Sequence, residues 1–310
     1  MLTFDKLKII TPIDTIQVTD ESQFSKVVKD GRLLYLNYAA ERPSLLKIKI
    51  DRNKSEAAIE FTGKILGTHY PQLISYQNIR ECFDNINRKG FCWIDTEAIM
   101  ESKVVKADVT QDIRCGDIAY LTSYIHAHLR NHQRYTCRIL RNRNAIIEKN
   151  VVTGQHKMRL TVYDKGREMA KAENLQFMTL HNIPRNTFDG LCRFELNLTS
   201  QTKIKEALSI KQTSLRKVLY SLATPLRSFV DSLLAESGEM PITDKKSFIA
   251  AAVLSYCDND LEKIESIMRL LHPSRGCNIK KIMEPYREVH DRQLYGNRRN
   301  FKQELLDLLA

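Results

Sequence analysis

Three short stretches carry residue types that could act together on a phosphodiester. "RLTVYDKGRE" (159–168) sets Tyr163 at the edge of an apolar run, with Lys165 and Glu168 just beyond it. "VVKADVT" (104–110) holds Asp108, and "CRFELNL" (192–198) holds Glu195 between apolar neighbours. A phenol with a free pKa of about 10 is a weak nucleophile unless a cation, a lysine or a base favours its phenolate. Carboxylates gathered at one point repel each other unless a hard divalent cation sits among them, and Mg²⁺ or Mn²⁺ takes oxygen ligands. Such an ion polarises a phosphodiester and stabilises its developing charge. The plainer reading fits these residues at least as well: Tyr163 closes an amphipathic strand, and the acids pair with nearby Arg and Lys.

Either reading needs the three stretches to be strands. Side chains alternate along a strand, so Lys106, Asp108 and Thr110 share a face, as do Arg159, Thr161 and Tyr163, and Arg193, Glu195 and Asn197. If the strands pair in one sheet, with helices on the apolar side, then Asp108, Tyr163 and Glu195 meet on the other side, with Glu168 one helical turn past the tyrosine. Further strands are expected over 7–18, 33–38, 45–51, 57–63, 134–141 and 145–152. Helices are expected over 72–90, 116–131 with Asp117 as the cap, and 165–173. Past Ser200 helical spacing runs almost throughout, punctuated by Pro225, Pro241, Pro273 and Pro285. The expected fold class is therefore α+β: a mixed or antiparallel sheet carrying the catalytic groups, helices on one face, and an all-helical C-terminal region. The boundary falls between 1–205 and 206–310.

Composition narrows the partners. The chain has 310 residues, 43% hydrophobic and 27% charged, as in ordinary globular proteins. Its apolar runs are too short to cross a bilayer, and "MLTFDKLKII" puts acid and lysine where an export signal needs its apolar core, so neither is expected. Seven scattered cysteines without a CxxC point to reduced thiols in a cytoplasm. The net charge is +11, and it is concentrated: eleven Lys and Arg face three Asp and Glu between His126 and Lys171. A field of that kind attracts a polyanion, most commonly nucleic acid. His126 and His128 look like a paired metal motif, but within a helix side chains two apart diverge by about 200°. They are expected to be solvated helix residues.

The stretches "VVKADVTQDI", "RLTVYDKGREM" and "LCRFELNLTSQTKIKEAL", with "AIEFTGKILG" upstream, resemble the rolling-circle replication initiators of filamentous phages and related phage and plasmid initiators. The resemblance covers roughly residues 57–208. It implies that Tyr163 is the nicking nucleophile, leaving a 5′-phosphotyrosyl link and a free 3′-hydroxyl primer, and that the ends are later rejoined. Lys165 would steady phenolate or phosphate, while Asp108, Glu168 and Glu195 would hold Mg²⁺ or Mn²⁺. Asp112 resembles an acid found in part of the group. Arg130, Arg134, Arg138, Arg141, Arg143, Lys157, Arg159 and Arg193 would contact DNA. The implied partners are origin DNA, single-stranded or supercoiled, with host helicase and polymerase; a homodimer is compatible, and the setting would be a bacterial cytoplasm. Two alternatives explain the charge alone: a non-catalytic origin-binding replication or regulatory protein, and a module whose basic face meets an acidic protein.

Overall fold

The computed structural model describes residues 2–39, 45–129, 135–149, 158–234, 245–272, 278–296 and 301–310. The chain starts with β1 (Phe4–Pro12), which ends at a proline that cannot continue the hydrogen-bond ladder. β2 (Ile16–Val18) belongs to a separate small sheet, so the single strand expected over 7–18 is two. β3 (Ser25–Lys29) and β4 (Arg32–Ala39) form a hairpin turning at Asp30 and Gly31, whose φ angles of 51° and 73° suit a two-residue mirror-image turn. β5 (Lys47–Asp51), β6 (Glu56–Thr62) and a kinked 3-10 segment, Gly63–Gln72, follow. α1 covers only Ile79–Asn87, because Pro71 and the left-handed φ of Leu73 break the helical pattern before it.

β7 (Cys92–Ile94) pairs with β2, and β8 (Lys103–Arg114) is the longest strand, at 12 residues. Asp117 caps α2 (Ile118–Ala127) by accepting from the Tyr120 amide, as its position before an amphipathic run requires. β9 (Tyr135–Ile139), β10 (Ala145–Lys149) and β11 (Met158–Asp164) lead into α3 (Lys165–Met169) and α4 (Ala172–Leu180). Lys171 is extended between these two helices (ψ 145°), which divides the one helix expected there. After a 3-10 turn at Arg185–Phe188 comes β12 (Leu191–Leu198). After it the regular elements among the described residues are helices: α5 (Gln201–Leu208), α6 (Leu215–Leu219), α7 (Pro225–Leu233), α8 (Lys245–Tyr256), α9 (Leu261–Leu271), α10 (Ile279–Gly296) and α11 (Phe301–Leu308).

Among the described residues ten strands form one antiparallel sheet in the order β3-β4-β5-β6-β1-β8-β12-β11-β10-β9, so the class is α+β. β8, β12 and β11, the three strands singled out in the sequence, are adjacent at its centre. Their apolar residues, including Val109, Phe194, Leu196, Leu160 and Val162, share the main core with Ile204 and Leu208 of α5, Leu226 and Phe229 of α7, and Leu305 of α11. Ala250, Leu254, Cys257, Ile264, Met283 and Val289, from α8 to α10, form a core of their own. On the polar side a small second cluster, Tyr70, Met169, Phe177, Met178, Ile183 and Phe188, roofs one end of the sheet. Six cysteines among the described residues are free thiols. No helix among them is long and apolar enough to cross a membrane.

Phe194, wholly buried on β12, anchors the apolar face. Phe194→Ala should lower unfolding free energy by about 3–5 kcal/mol in a urea titration.

Candidate active site

Register fixes which side chains meet. Opposite residues of an antiparallel pair have Cβ atoms about 4.5–5.5 Å apart. Asp112, Thr110 and Asp108 of β8 stand opposite Arg193, Glu195 and Asn197 of β12, and Tyr163 and Thr161 of β11 stand opposite Arg193 and Glu195. Asp108, Tyr163 and Glu195 therefore share a face, as the alternation predicts. Across that face the Tyr163 hydroxyl donates to Glu195 Oε1 at 2.6 Å. Burial pushes the phenol pKa well above 10, and the Glu195 charge pushes it the same way. Burial together with the Asp5 charge pushes the Glu195 carboxyl up to about 7. In the resting arrangement the proton stays on tyrosine, aimed at the group best placed to accept it.

Next to this pair lies a buried cation. Arg193 is fully buried, with Nε and Nη2 donating to Asp112 Oδ1 and Oδ2 at 2.6 and 2.7 Å, and Nη1 donating to Asp5 Oδ1 at 2.8 Å. Its Nη1 also reaches the Tyr70 hydroxyl at 3.2 Å. Burying a guanidinium costs several kcal/mol unless it is fully paired. Here the two-pronged match to one carboxylate, with a second carboxylate at the third nitrogen, offsets that cost. The expected contact of Arg193 with DNA is thus corrected: no solvent reaches it, and its role is to join strands. Asp112 is its partner.

Lys165 is buried as well, because α3 begins directly after the tyrosine strand. Asp164 caps that helix by accepting from the Arg167 amide. Gly166 leaves room for the turn above it, since a Cβ there would stand 3.0 Å from the Phe188 carbonyl oxygen. Lys165 Nζ donates to the Tyr70 hydroxyl and to Glu168 Oε2, each at 2.7 Å, and lies 5.8 Å from the Tyr163 ring centre. Burial alone would lower its pKa; the Tyr70 oxygen and the acids around it outweigh that and raise it. Burial pushes the Tyr70 phenol up to about 12.

The three acids expected to hold a metal are differently engaged. Glu168 accepts from Lys165 and, at 2.7 Å, from Asn174 Nδ2. Glu195 is bonded to the tyrosine. Asp108 is buried, its Oδ1 has no hydrogen-bond partner among the described residues, and burial raises its pKa. A buried orphan carboxylate oxygen fits a hard cation, and Glu195, two residues along on the neighbouring strand, supplies the same donor chemistry. Glu168 is already satisfied. Among the described residues no group of three or more His, Cys, Asp or Glu is close enough to hold a metal ion.

Of the expected DNA contacts, Arg138, Arg141, Arg143 and Arg159 are exposed, and Arg138 is paired with Glu148. Arg159 also donates to Asn197 Oδ1 at 3.2 Å. Arg130, Arg134 and Lys157 lie outside the described residues. His128 is not solvated as expected: it is buried, stacked on the Tyr124 ring, and bonded through Nδ1 to the Tyr124 carbonyl oxygen at 2.9 Å. Sequence reasoning missed Asp5 and Tyr70. Asp5 sits at a register shift in β1, and Tyr70 in an irregular segment, so neither carries a periodic signal. No family model matches this chain, and no curated protein matches it.

Arg193→Ala, which strands Asp112 and Asp5, should cost about 3–5 kcal/mol of unfolding free energy, read by urea titration. Glu195 holds its proton more tightly when folded, so its contribution to stability is complete below about 4.5 and is lost as pH rises to about 7. Glu195→Gln should flatten that fall, measured as urea midpoints across the same pH window.

Proposed function

We propose that this chain initiates rolling-circle DNA replication by nicking one strand with Tyr163. The observation that carries the reading is the Tyr163 hydroxyl held against Glu195 Oε1 on the same sheet face as Asp108. The resemblance of these strands to filamentous-phage initiators, and the basic segments around them, support it. Tyr163 Oη would bond to the phosphorus while the bond to the 3′ oxygen breaks. Glu195 Oε1 would take the phenolic proton, and an equivalent proton would end on the 3′ oxygen, giving a free 3′-hydroxyl and a 5′-phosphotyrosyl link. The covalent link conserves the energy of the broken ester, so the reverse step rejoins ends.

Asp108 and Glu195 would hold Mg²⁺ or Mn²⁺. That cation would neutralise charge on the phosphate in the transition state. Lys165 and Arg193 are buried and neutralised by Glu168, Asp112 and Asp5, so they hold the sheet face in place rather than touch the phosphate; Lys165 also fixes α3 behind the tyrosine. Exposed Arg138, Arg141, Arg143 and Arg159 would grip the backbone in a salt-sensitive, sequence-independent way.

Incubation with a supercoiled plasmid carrying the cognate origin, with Mg²⁺ or Mn²⁺, should yield nicked circles that retain protein after denaturation. Tyr163→Phe should yield none while keeping the parent's thermal midpoint within a few degrees. Nicking by the Phe variant would remove the assigned nucleophile. Binding without nicking by the parent, whatever the metal, would favour a non-catalytic origin-binding protein.

A further inference from the structure

The segment Gly63–Gln72, α1 and the end of α4 enclose an open cleft of about 650 Å³. Lys64, His69, Arg88, Lys89 and His181 line it, and Glu81 is the one acid among its lining residues. That acid is bonded to His69 Nδ1 at 2.8 Å. The Arg88 guanidinium donates to a neutral partner, Asn85 Oδ1 at 2.6 Å, and both Arg88 and Lys89 are exposed. No carboxylate among the described residues pairs with either. Burial lowers the His181 pKa, and the nearby Lys89 charge lowers it further.

The walls are fixed. Gly67 has φ +58°, and a Cβ there would stand 2.8 Å from His181 Nδ1, so this position needs glycine on both counts. Thr68 Oγ1 ties the same wall to α4 by donating to the His181 carbonyl oxygen at 2.9 Å. A chain of hydrogen bonds also runs from the cleft to Lys165, whose Nζ lies 5.8 Å from the Tyr163 ring centre. Lys64 Nζ donates to Asn174 Oδ1 at 2.6 Å, and Asn174 Nδ2 donates to Glu168, which accepts in turn from Lys165.

We propose that this cleft is a second DNA-binding site, holding backbone phosphates of the strand flanking the scissile bond, with Arg88 and Lys89 as the contacting cations. An open, rigid, cation-lined cleft joined to the tyrosine network suits a polyanion that must be held on both sides of the cut. The inference rests on the proposed function for the identity of its polyanion, but not on the nicking chemistry.

The test uses the full chain carrying Tyr163→Phe, with and without Arg88→Ala and Lys89→Ala together. A fluorescent single-stranded oligonucleotide is titrated over a range of salt. Each phosphate of a single strand that the protein no longer neutralises makes the slope of log K against log salt shallower by about 0.7, so the double variant should be shallower by about 1.4. Lys29→Ala with Arg32→Ala removes the same charge at the β3–β4 turn, outside the lining of the cleft, and should leave the slope unchanged. An unchanged slope in the Arg88 and Lys89 variant overturns the proposal. So does an equal change in the hairpin control, or a change confined to a polyglutamate probe. Failure of the parent to nick would remove the chemistry proposed for Tyr163 without altering these slopes, so the two failures are distinguishable.

Discussion

The arrangement depends on one desolvated guanidinium. Arg193 reaches from β12 to Asp112 on β8, to Asp5 on β1 and to Tyr70 in the segment after β6. Three strands and a loop are thus tied to one charge that has no access to water. Electrostatics in such a place is unforgiving, because removing a partner leaves an ion unsatisfied in a low-dielectric interior. That makes the register of β1, β8 and β12 hard to slip, and with it the positions of every side chain on the polar face.

From that anchor the face divides into two halves. Toward Arg193 lies a sealed half, roofed by Tyr70 and Phe188, where Lys165 and Glu168 complete a closed set of hydrogen bonds. Toward Arg159 lies a more open half, with Tyr163 and Glu195 half-buried and Arg159 exposed, while Asp108 and Asn197 stay buried. The sealed half gives fixed potential and fixed backbone; the accessible half holds the groups able to change bonds. The tyrosine stands on the line between them, one residue before the cap of α3, which limits how far its ring can stray.

Much of this is legible in the sequence because strand alternation is a strong local signal. Lys106-Asp108-Thr110, Arg159-Thr161-Tyr163 and Arg193-Glu195-Asn197 each declare a polar face, and the three strands pair as that pattern requires. Asp117 declares a helix start for the same local reason. Burial is less legible: Arg193 and Lys165 look like surface cations, since nothing in a strand pattern reveals a roof made from residues 63–72 and 185–188. Asp5 is hidden by a shift in register, and Tyr70 by an irregular backbone. β3 escapes notice although the Asp30–Gly31 pair marks a hairpin; its five residues are all exposed, so no apolar alternation announces it.

That exposed strand has its own consequence. Among the described residues the ten-stranded sheet has two rims, and β3 is one of them, with no second strand paired to it there and with Val27 and Val28 exposed. Such a rim invites fibrous stacking of one molecule on the next. Lys26, paired with Glu21, and Lys29 sit on it, and a newcomer strand would have to desolvate these charges before gaining a ladder bond. The rim therefore carries its own gatekeepers against cross-β growth.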